Sequence, residues 1–271
     1  MGREIHRRFR LRQLRRDTLD WLGELDRKRR RTRDVAVISY QKSGRTWLRF
    51  MLEAMGVRLM YDHAGAKNKL ALPYEAIADG WREWTDWRVI FLFRDPRDTV
   101  VSSYFEATKR LKERYRFDGT LDEFMRDPRY GLEKIARFNL RWLEVLGKLK
   151  DGTSVAYEDL HETTGSELRR IVTFAVGRTP RDEIVERAVE AGRFANMRTV
   201  ELSLAGKMNE ANKLGGGTPG DQESFKTRRG EVGGWRDYFT SAQQRFMTRL
   251  LADLDYPERS AALHSANRRL G

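Results

Sequence analysis

Residues 35–56 constrain the fold more than any other stretch of the chain. Val35-Ala36-Val37-Ile38-Ser39-Tyr40 is a short, apolar, β-branched run, the pattern of a parallel strand buried on both faces. It passes without a spacer into Gln41-Lys42-Ser43-Gly44-Arg45-Thr46. From Trp47 the apolar period changes. Trp47, Leu48, Phe50, Met51, Leu52 and Met55 recur at helical spacing, and Gly56 stops the run. A strand feeding a tight turn and then a helix converges free backbone N–H groups and the helix dipole on one point. Lys42 adds a charge there, and Ser43 and Thr46 add hydroxyl donors. The turn is therefore built for an anion. Its order differs from Gly-x-x-x-x-Gly-Lys-Ser/Thr, because the Lys precedes the Gly and no upstream Gly is present. A Mg²⁺-dependent ATPase or kinase is disfavoured.

A second strand is predicted at Val89-Ile90-Phe91-Leu92-Phe93, followed by Arg94-Asp95-Pro96-Arg97-Asp98, where Pro96 suits a helix N-terminus. A third is expected at Ser154–Tyr157 and further helices around 120–127, 133–149, 164–176, 181–198 and 241–254. Strands alternating with helices give an α/β fold, a single domain with a central parallel sheet flanked by helices. Residues 203–230 lack periodicity and contain Leu214-Gly215-Gly216-Gly217-Thr218-Pro219-Gly220, the composition of a flexible loop. The division expected is a basic arm over 1–33 and a catalytic domain over 34–271.

Charge separates these two parts. The formal charge is +13 over 271 residues. Residues 1–33 hold 13 Lys/Arg against 5 Asp/Glu, so most of the excess lies in the arm. Leu11, Leu14, Trp21, Leu22 and Leu25 recur there at roughly helical spacing among arginines. One reading is a helix on an anionic membrane surface; the other is a helix packed on the body with solvated charges. No apolar run approaches the roughly 20 residues of a membrane span, and the N-terminus lacks the apolar core of a secretory signal. Cysteine is absent, which excludes disulfides and thiolate chemistry and fits a reducing cytoplasm.

Tyr40-Gln41-Lys42-Ser43-Gly44-Arg45-Thr46-Trp47 closely resembles the 5′-phosphosulfate loop of sulfotransferases, commonly Tyr-Pro-Lys-Ser-Gly-Thr-Thr-Trp. These enzymes use 3′-phosphoadenosine 5′-phosphosulfate (PAPS). Three further elements follow in the family's order. Arg94 with Ser102 eight residues on resembles the 3′-phosphate pair. Tyr157-Glu158-Asp159 resembles the segment after the next strand, and Arg228-Arg229-Gly230-Glu231-Val232-Gly233-Gly234-Trp235 resembles Arg-Lys-Gly-x-x-Gly-Asp-Trp. Gln41 replaces the usual Pro, Arg45 a Thr, and Gly234 an Asp; the Arg form of the loop points to a bacterial member.

The resemblance implies these roles. Lys42 stabilises the leaving phosphate, and Ser102 also contacts Lys42 in the donor complex. Ser43, Gly44, Thr46 and the backbone at Arg45 hold the 5′-phosphate, with the Arg45 guanidinium a second cation beside Lys42. Arg94, Ser102 and Arg228, assisted by Arg229 and Gly230, bind the 3′-phosphate. Trp47, Tyr157 and Phe194 meet the adenine. His63 is the expected general base, a neutral imidazole suiting proton removal near pH 7; Asp62 or Glu75 stand as alternatives. Of the other histidines, His6 lies in the arm, His161 looks like a surface helix-cap residue and His264 falls in a polar tail. PAPS is the expected co-substrate, with no metal. The expected acceptor is a small molecule, saccharide or lipid bearing a hydroxyl or amine, not nucleic acid. The expected location is cytoplasmic, with peripheral membrane association through 1–33 left open. The rival readings are an atypical P-loop kinase and a non-catalytic nucleotide- or membrane-binding protein of the same fold.

Overall fold

The computed structural model describes residues 32, 34–204, 207–209, 213–215, 217–218 and 220–268. The basic arm expected over 1–33 lies, apart from Thr32, outside the described residues.

Among the described residues four strands form one parallel sheet: β1 (Val35–Ile38), β2 (Met60–Asp62), β3 (Arg88–Phe93) and β4 (Asp151–Ala156), in the order β2-β1-β3-β4. Helix α1 (Arg45–Ala54) leads from β1 towards β2. Between β3 and β4 lie α2 (Pro96–Lys109), α3 (Leu121–Arg126) and α4 (Leu132–Val145). After β4 come α5 (Tyr157–Glu162), α6 (Thr164–Val176), α7 (Asp182–Ala191), α8 (Phe194–Ser203), α9 (Ser241–Asp253) and α10 (Tyr256–Arg268).

Strand side chains alternate between two cores. Val35, Val37, Ile90, Leu92 and Val155 pack with Leu48, Met51 and Leu52 of α1 and with residues of α6 and α7. Ala36, Ile38, Val89, Phe91 and Phe93 face the opposite way and meet Phe138 and Trp142 of α4. With both faces covered, the strands read as continuous apolar runs rather than alternating ones. Phe91 stacks on Trp142 with ring centroids 5.7 Å apart; burying one such ring contributes about 1.5–3 kcal/mol. These faces set the ends of β1, β3 and β4 side by side, and the turns that leave those ends share one side of the molecule.

Several boundaries differ from the sequence expectation, each for a local reason. β2 is absent from that expectation: three residues at a sheet edge are too few to show a period. β4 begins at Asp151 rather than Ser154, because Asp151 and Gly152, which look like turn residues, pair with Arg88 and Val89. Tyr157 opens α5 instead of ending the strand. The helix expected over 133–149 ends at Val145 and tightens into a 3₁₀ turn at Leu146–Lys148. The helix expected over 181–198 breaks at Gly192-Arg193 into α7 and α8. Gly192 is pressed against α1, where an added Cβ would stand 2.6 Å from Met51 Cγ. The expected loop 203–230 contains a 3₁₀ turn at Gln222–Ser224 and an antiparallel bridge between Met208 and Gly215.

The polar tail expected around His264 is instead α10, docked on β4. The neutral imidazole of His264 accepts from the Ser154 hydroxyl at Nδ1 (2.6 Å) and donates from Nε2 to Asp159 (2.8 Å). The Ser–His–Asp order imitates a hydrolase triad, but Ser154 is fully buried in β4. Substrate has no route to it, so the network anchors a helix. Burial, reinforced by Arg268 and Arg170 and only partly offset by Asp159, lowers the His264 pKa below its ordinary 6.5. The unfolded chain then takes up the proton first, so this contribution is present above about pH 6.5 and is lost as pH falls. Urea midpoints should decline from pH 7.5 to 5.5, and His264→Gln should decline less steeply. Equal slopes in the two proteins would exclude His264 as a source of the acid sensitivity.

Candidate active site

The site begins at the turn after β1. Lys42 has φ 69° and Gly44 φ 94°. A left-handed backbone at a non-glycine residue costs roughly 1–2 kcal/mol, and such strain concentrates at functional turns. At Gly44 the conformation also demands space: a Cβ would lie 2.4 Å from Cδ2 of Tyr157. The first turn of α1 receives no side-chain cap, so its leading N–H groups remain available to a ligand. The Ser43 hydroxyl is buried without a hydrogen-bond partner.

Lys42, Gly44, Arg45, Thr46, Trp47, Arg94, Ser102, Tyr157, Phe194, Arg228, Arg229 and Gly230 all line one cavity of about 440 Å³, as does His63. The structure thus gathers every expected site residue except Ser43, which lies buried immediately behind the turn. Arg94 leaves β3, stacks over the Tyr157 ring at 4.2 Å and donates to the Glu231 carbonyl at 2.7 Å. Its Nε is buried and unpartnered. Asp98 accepts from the backbone of Gly233 (2.7 Å) and Trp235 (3.0 Å), which ties the Arg228–Trp235 segment to α2. Arg228 bonds Glu223 at 3.2 Å and the Tyr238 hydroxyl. Arg229 pairs with Glu231 at 3.2 Å and Asp237 at 2.8 Å.

The aromatic end follows from the break after α7. The Trp47 indole donates to the Gly192 carbonyl at 2.8 Å and meets Tyr157 edge-on at 5.5 Å. Phe194, freed by the same break, is 44% exposed and packs on Gly230, where a Cβ would lie 2.7 Å from its ring. An exposed phenyl over a glycine and an edge-held indole can enclose a planar base. His161 lies in α5, exposed, and its ring faces Trp47 at 6.1 Å. The Tyr157 hydroxyl, expected on the adenine, donates instead to the Gly230 carbonyl at 3.3 Å.

One other expectation needs correction. The Arg45 guanidinium is not a second cation beside Lys42. It donates to the Asp62 carbonyl (2.6 Å) and to His63 Nε2 (2.5 Å), because β2 lies directly alongside β1. His63 Nδ1 bonds the Ser39 carbonyl at 2.9 Å, so both ring nitrogens have a protein partner and the ring is held in place at the cavity wall. Burial and the adjoining Arg45 push the His63 pKa well below 6.5. Of the alternatives, the Asp62 carboxylate caps its own turn at Ala64 N (2.6 Å), and Glu75 sits exposed on the 3₁₀ turn Tyr74–Ala76.

The cavity gathers cations close enough to depress one another. Burial, then the charges of Arg110 and Arg228, lower Lys42 to about 8. Burial, with Arg110 and Lys42, lowers Lys226 to about 7. Lys226 and Glu106 also line the cavity, and the sequence reading missed both. Glu106 stands one turn beyond Ser102 on α2, so helical spacing offered a signal for it. Clustered cations that repel one another at rest are held apart by the fold and satisfied by an anionic ligand.

Comparison with known proteins agrees with this geometry. The sulfotransferase domain family matches residues 83–255. A flavonol 3-sulfotransferase of Flaveria bidentis is 22% identical over 255 residues, spanning 76% of this chain and 77% of that protein. Human sulfotransferase 2B1 is 27% identical over 165 residues, 60% of this chain and 42% of that one. Mouse sulfotransferase SULT7A1, solved with PAP, superposes with a TM-score of 0.57 at 20% identity, covering 82% of this chain and 84% of its own. Retinol dehydratase in complex with androsterone and PAP gives 0.53 at 18%, covering 81% and 80%. At such identities the solved structures establish the shared fold. The relatives named are plant and animal proteins, and the bacterial membership expected from Arg45 finds no support among them. With more than half its length matched by the family's domain, the chain belongs to the PAPS-dependent sulfotransferase family, enzymes that move a sulfuryl group from PAPS to a hydroxyl or amine acceptor.

Proposed function

We propose that the cavity seats PAPS with its 5′-phosphosulfate on the P-loop-like turn Lys42–Thr46 and its 3′-phosphate between Arg94, Ser102 and Arg228. The observation that carries this reading is the convergence of two separate cationic loci, one after β1 and one after β3, on a single cavity. Ser43 and Arg94 Nε fit it too, since each is a buried donor that lacks a partner. The adenine rests against Trp47 and Phe194. Tyr157 acts through its ring and by holding Gly230, and Arg229 and Gly230 shape the 3′-phosphate strand. Arg45 contributes its backbone N–H; its side chain, clamped by His63 and the Asp62 carbonyl, fixes the first turn of α1.

PAPS supplies the sulfuryl group. The chain's residues align the two ends, exclude water and receive charge. Lys42 stands at the turn where negative charge develops on the departing phosphate, and a buried ammonium stabilises it more strongly than water would. Residues 34–271 form the catalytic domain in this reading, with 203–230 a cofactor and substrate loop. Residues 1–33 form an appended basic arm suited to an anionic membrane surface. The acceptor is a small molecule, with saccharides and lipids the leading classes.

The test is transfer from ³⁵S-labelled PAPS to small-molecule, saccharide and lipid extracts, with and without EDTA. Labelled product that is indifferent to EDTA is expected. Transfer from γ-labelled ATP that EDTA abolishes, with none from PAPS, would establish the kinase reading instead.

A further inference from the structure

We infer that Arg45 is a positioning residue for the base: its guanidinium fixes the tautomer and ring orientation of His63 and yields Nε2 to the acceptor hydroxyl. This rests on the sulfuryl-transfer reading above, with His63 as the base. Arg45 stands where the family usually has Thr, so the pairing belongs to this chain rather than to the family's pattern. The parallel register builds it. β2 lies beside β1 with Ile38 opposite Asp62, and the Ser39 N–H donates to the Asp62 carbonyl at 3.3 Å. His63, the next residue, falls beside Ser39, and its Nδ1–H donates to the Ser39 carbonyl at 2.9 Å. A carbonyl only accepts, so Nδ1 carries the proton and Nε2 the lone pair. That lone pair accepts from Arg45 Nη2 at 2.5 Å, while Arg45 Nη1 is anchored on the Asp62 carbonyl at 2.6 Å. Both side chains line the cavity that holds Lys42. An acceptor hydroxyl that replaces Nη2 therefore meets a bare lone pair, and the anchored Nη1 keeps the guanidinium beside it.

The charges around the ring favour its neutral form. From α1 come Arg45 and, one turn on, Arg49, which lies over the Tyr61 ring at 3.8 Å. From β2 and the turn after it come Asp62 and Lys67, 3.8 Å apart, and the Asp62 carboxylate also caps Ala64 N at 2.6 Å. From α2 comes Glu106, whose charge reaches Arg45 and whose Oε2 accepts from Asn68 at 3.0 Å. Burial first, then Arg45, push His63 well below 6.5; the Ser39 carbonyl opposes them, and Lys67 and Arg49 add to them. Arg45 is itself lowered by burial and by Arg49, yet only to about 10, so it is charged at neutral pH. A base lowered in this way keeps its lone pair as pH falls, and activity persists into acid.

The step balances as follows. His63 Nε2 takes the proton from the acceptor hydroxyl as that oxygen bonds to sulfur. The bond from sulfur to the 5′-phosphate oxygen breaks, and its electron pair stays on the phosphate beside Lys42. The imidazolium, now facing the Arg45 guanidinium, returns its proton to solvent, and Nη2 closes on Nε2 again.

The first measurement is NMR of the full chain labelled with ¹⁵N-histidine, titrated from pH 8 to 5, with the His63 signals assigned from their loss in His63→Gln. Wild-type His63 should carry its proton on Nδ1 and titrate well below 6.5. A proton on Nε2, or titration near 6.5, would overturn the inference without any Arg45 variant. The second measurement is the pH profile of kcat/KM for labelled transfer from PAPS to 2-naphthol, or to water if the phenol is not a substrate. Arg45→Thr, which restores the family's usual residue, removes a positive charge beside the imidazole. Its acid limb and its His63 titration should both move up by about one pH unit or more. Arg45→Lys keeps the charge and should hold the limb near that of the wild type. PAP affinity by calorimetry reports whether each variant keeps the phosphate turn. An Arg45→Thr protein that binds PAP but leaves the acid limb and the tautomer unchanged would reduce Arg45 to a support for α1. If Arg45→Thr does not fold, an acid limb in Arg45→Lys that rises as far as the loss of charge would predict also overturns the role. A wild-type protein that neither transfers sulfate nor binds PAP would overturn the sulfuryl-transfer reading and the role with it, and the NMR titration, which needs no donor, tells that failure from the others.

Discussion

Lys42→Met is expected to lower kcat by about 10²–10³-fold, the scale set by removing one donor aimed at developing charge. PAP affinity should fall much less. Methionine keeps the length of the side chain, and at φ 69° it bears the same backbone strain as lysine. The substitution therefore removes charge and little else. The distinction rests on when the ammonium acts. A group that only holds ground-state phosphate raises KM and leaves kcat alone, whereas one that meets charge appearing on the leaving oxygen lowers kcat. Equal losses in PAP affinity and in kcat/KM would reduce Lys42 to a phosphate holder.

The same variant carries a pH signature. Burial, with Arg110 and Arg228, sets Lys42 at about 8. An anionic ligand favours the ammonium, so above about pH 8 binding must draw a proton from solvent. PAP affinity should decline as pH rises from 7 towards 9, approaching tenfold per unit for one coupled proton. Lys226, lowered to about 7, adds to the decline at its lower edge. Calorimetric titration in buffers of different ionisation enthalpy measures the proton uptake directly. Lys42→Met should take up fewer protons near pH 8 than the wild type.

The phosphate turn was legible in the sequence because backbone geometry forces its composition. Only a strand, a tight glycine-containing turn and a helix present free N–H groups in this way, and Val35 to Met55 spell that out by period alone. Arg94 and Ser102 were legible only through resemblance, since the local pattern puts Arg94 at the end of a strand and Ser102 on the following helix without saying what faces them. What the sequence hid was pairing across the sheet. β2 is three residues long, and nothing in Met60-Tyr61-Asp62 announces that it lies beside β1. That unseen neighbour is what brings His63 and the Asp62 carbonyl against Arg45. The Asn68 bridge between Gln41 and Glu106 spans residues 27 and 38 positions apart, beyond any local pattern. His264 was misread for a related reason: α10 is nearly polar in composition, and its burial comes from docking a few side chains on β4 rather than from an apolar stripe.

Arg94→Ala is expected to separate the two phosphates of the donor. Arg94 reaches the cavity from the end of β3 with its side chain only 11% exposed. Its nearest carboxylate, Asp98 at 3.6 Å, is committed to the Gly233 and Trp235 backbone. A buried guanidinium so placed has charge to spare for a phosphate, and Arg suits that geometry better than Lys. A hydrogen bond to a charged group contributes about 1.5–3 kcal/mol, which is about 10- to 150-fold in affinity. PAP should weaken by that factor on Arg94→Ala, whereas adenosine 5′-phosphate, lacking the 3′-phosphate, should weaken little. Arg94 also stacks on Tyr157 and bonds the Glu231 carbonyl, so its loss loosens the strand at Gly230 and the wall of the adenine site. A loss of that kind would strike both nucleotides alike. The ratio of the two affinities, rather than either alone, is therefore the measurement. Equal weakening of PAP and adenosine 5′-phosphate would mean that Arg94 only supports the cavity wall, and the 3′-phosphate would then have to rest on Arg228 and Ser102. A collapsed ratio, with adenosine 5′-phosphate bound as in the wild type, would place Arg94 on the phosphate that distinguishes PAPS from ATP.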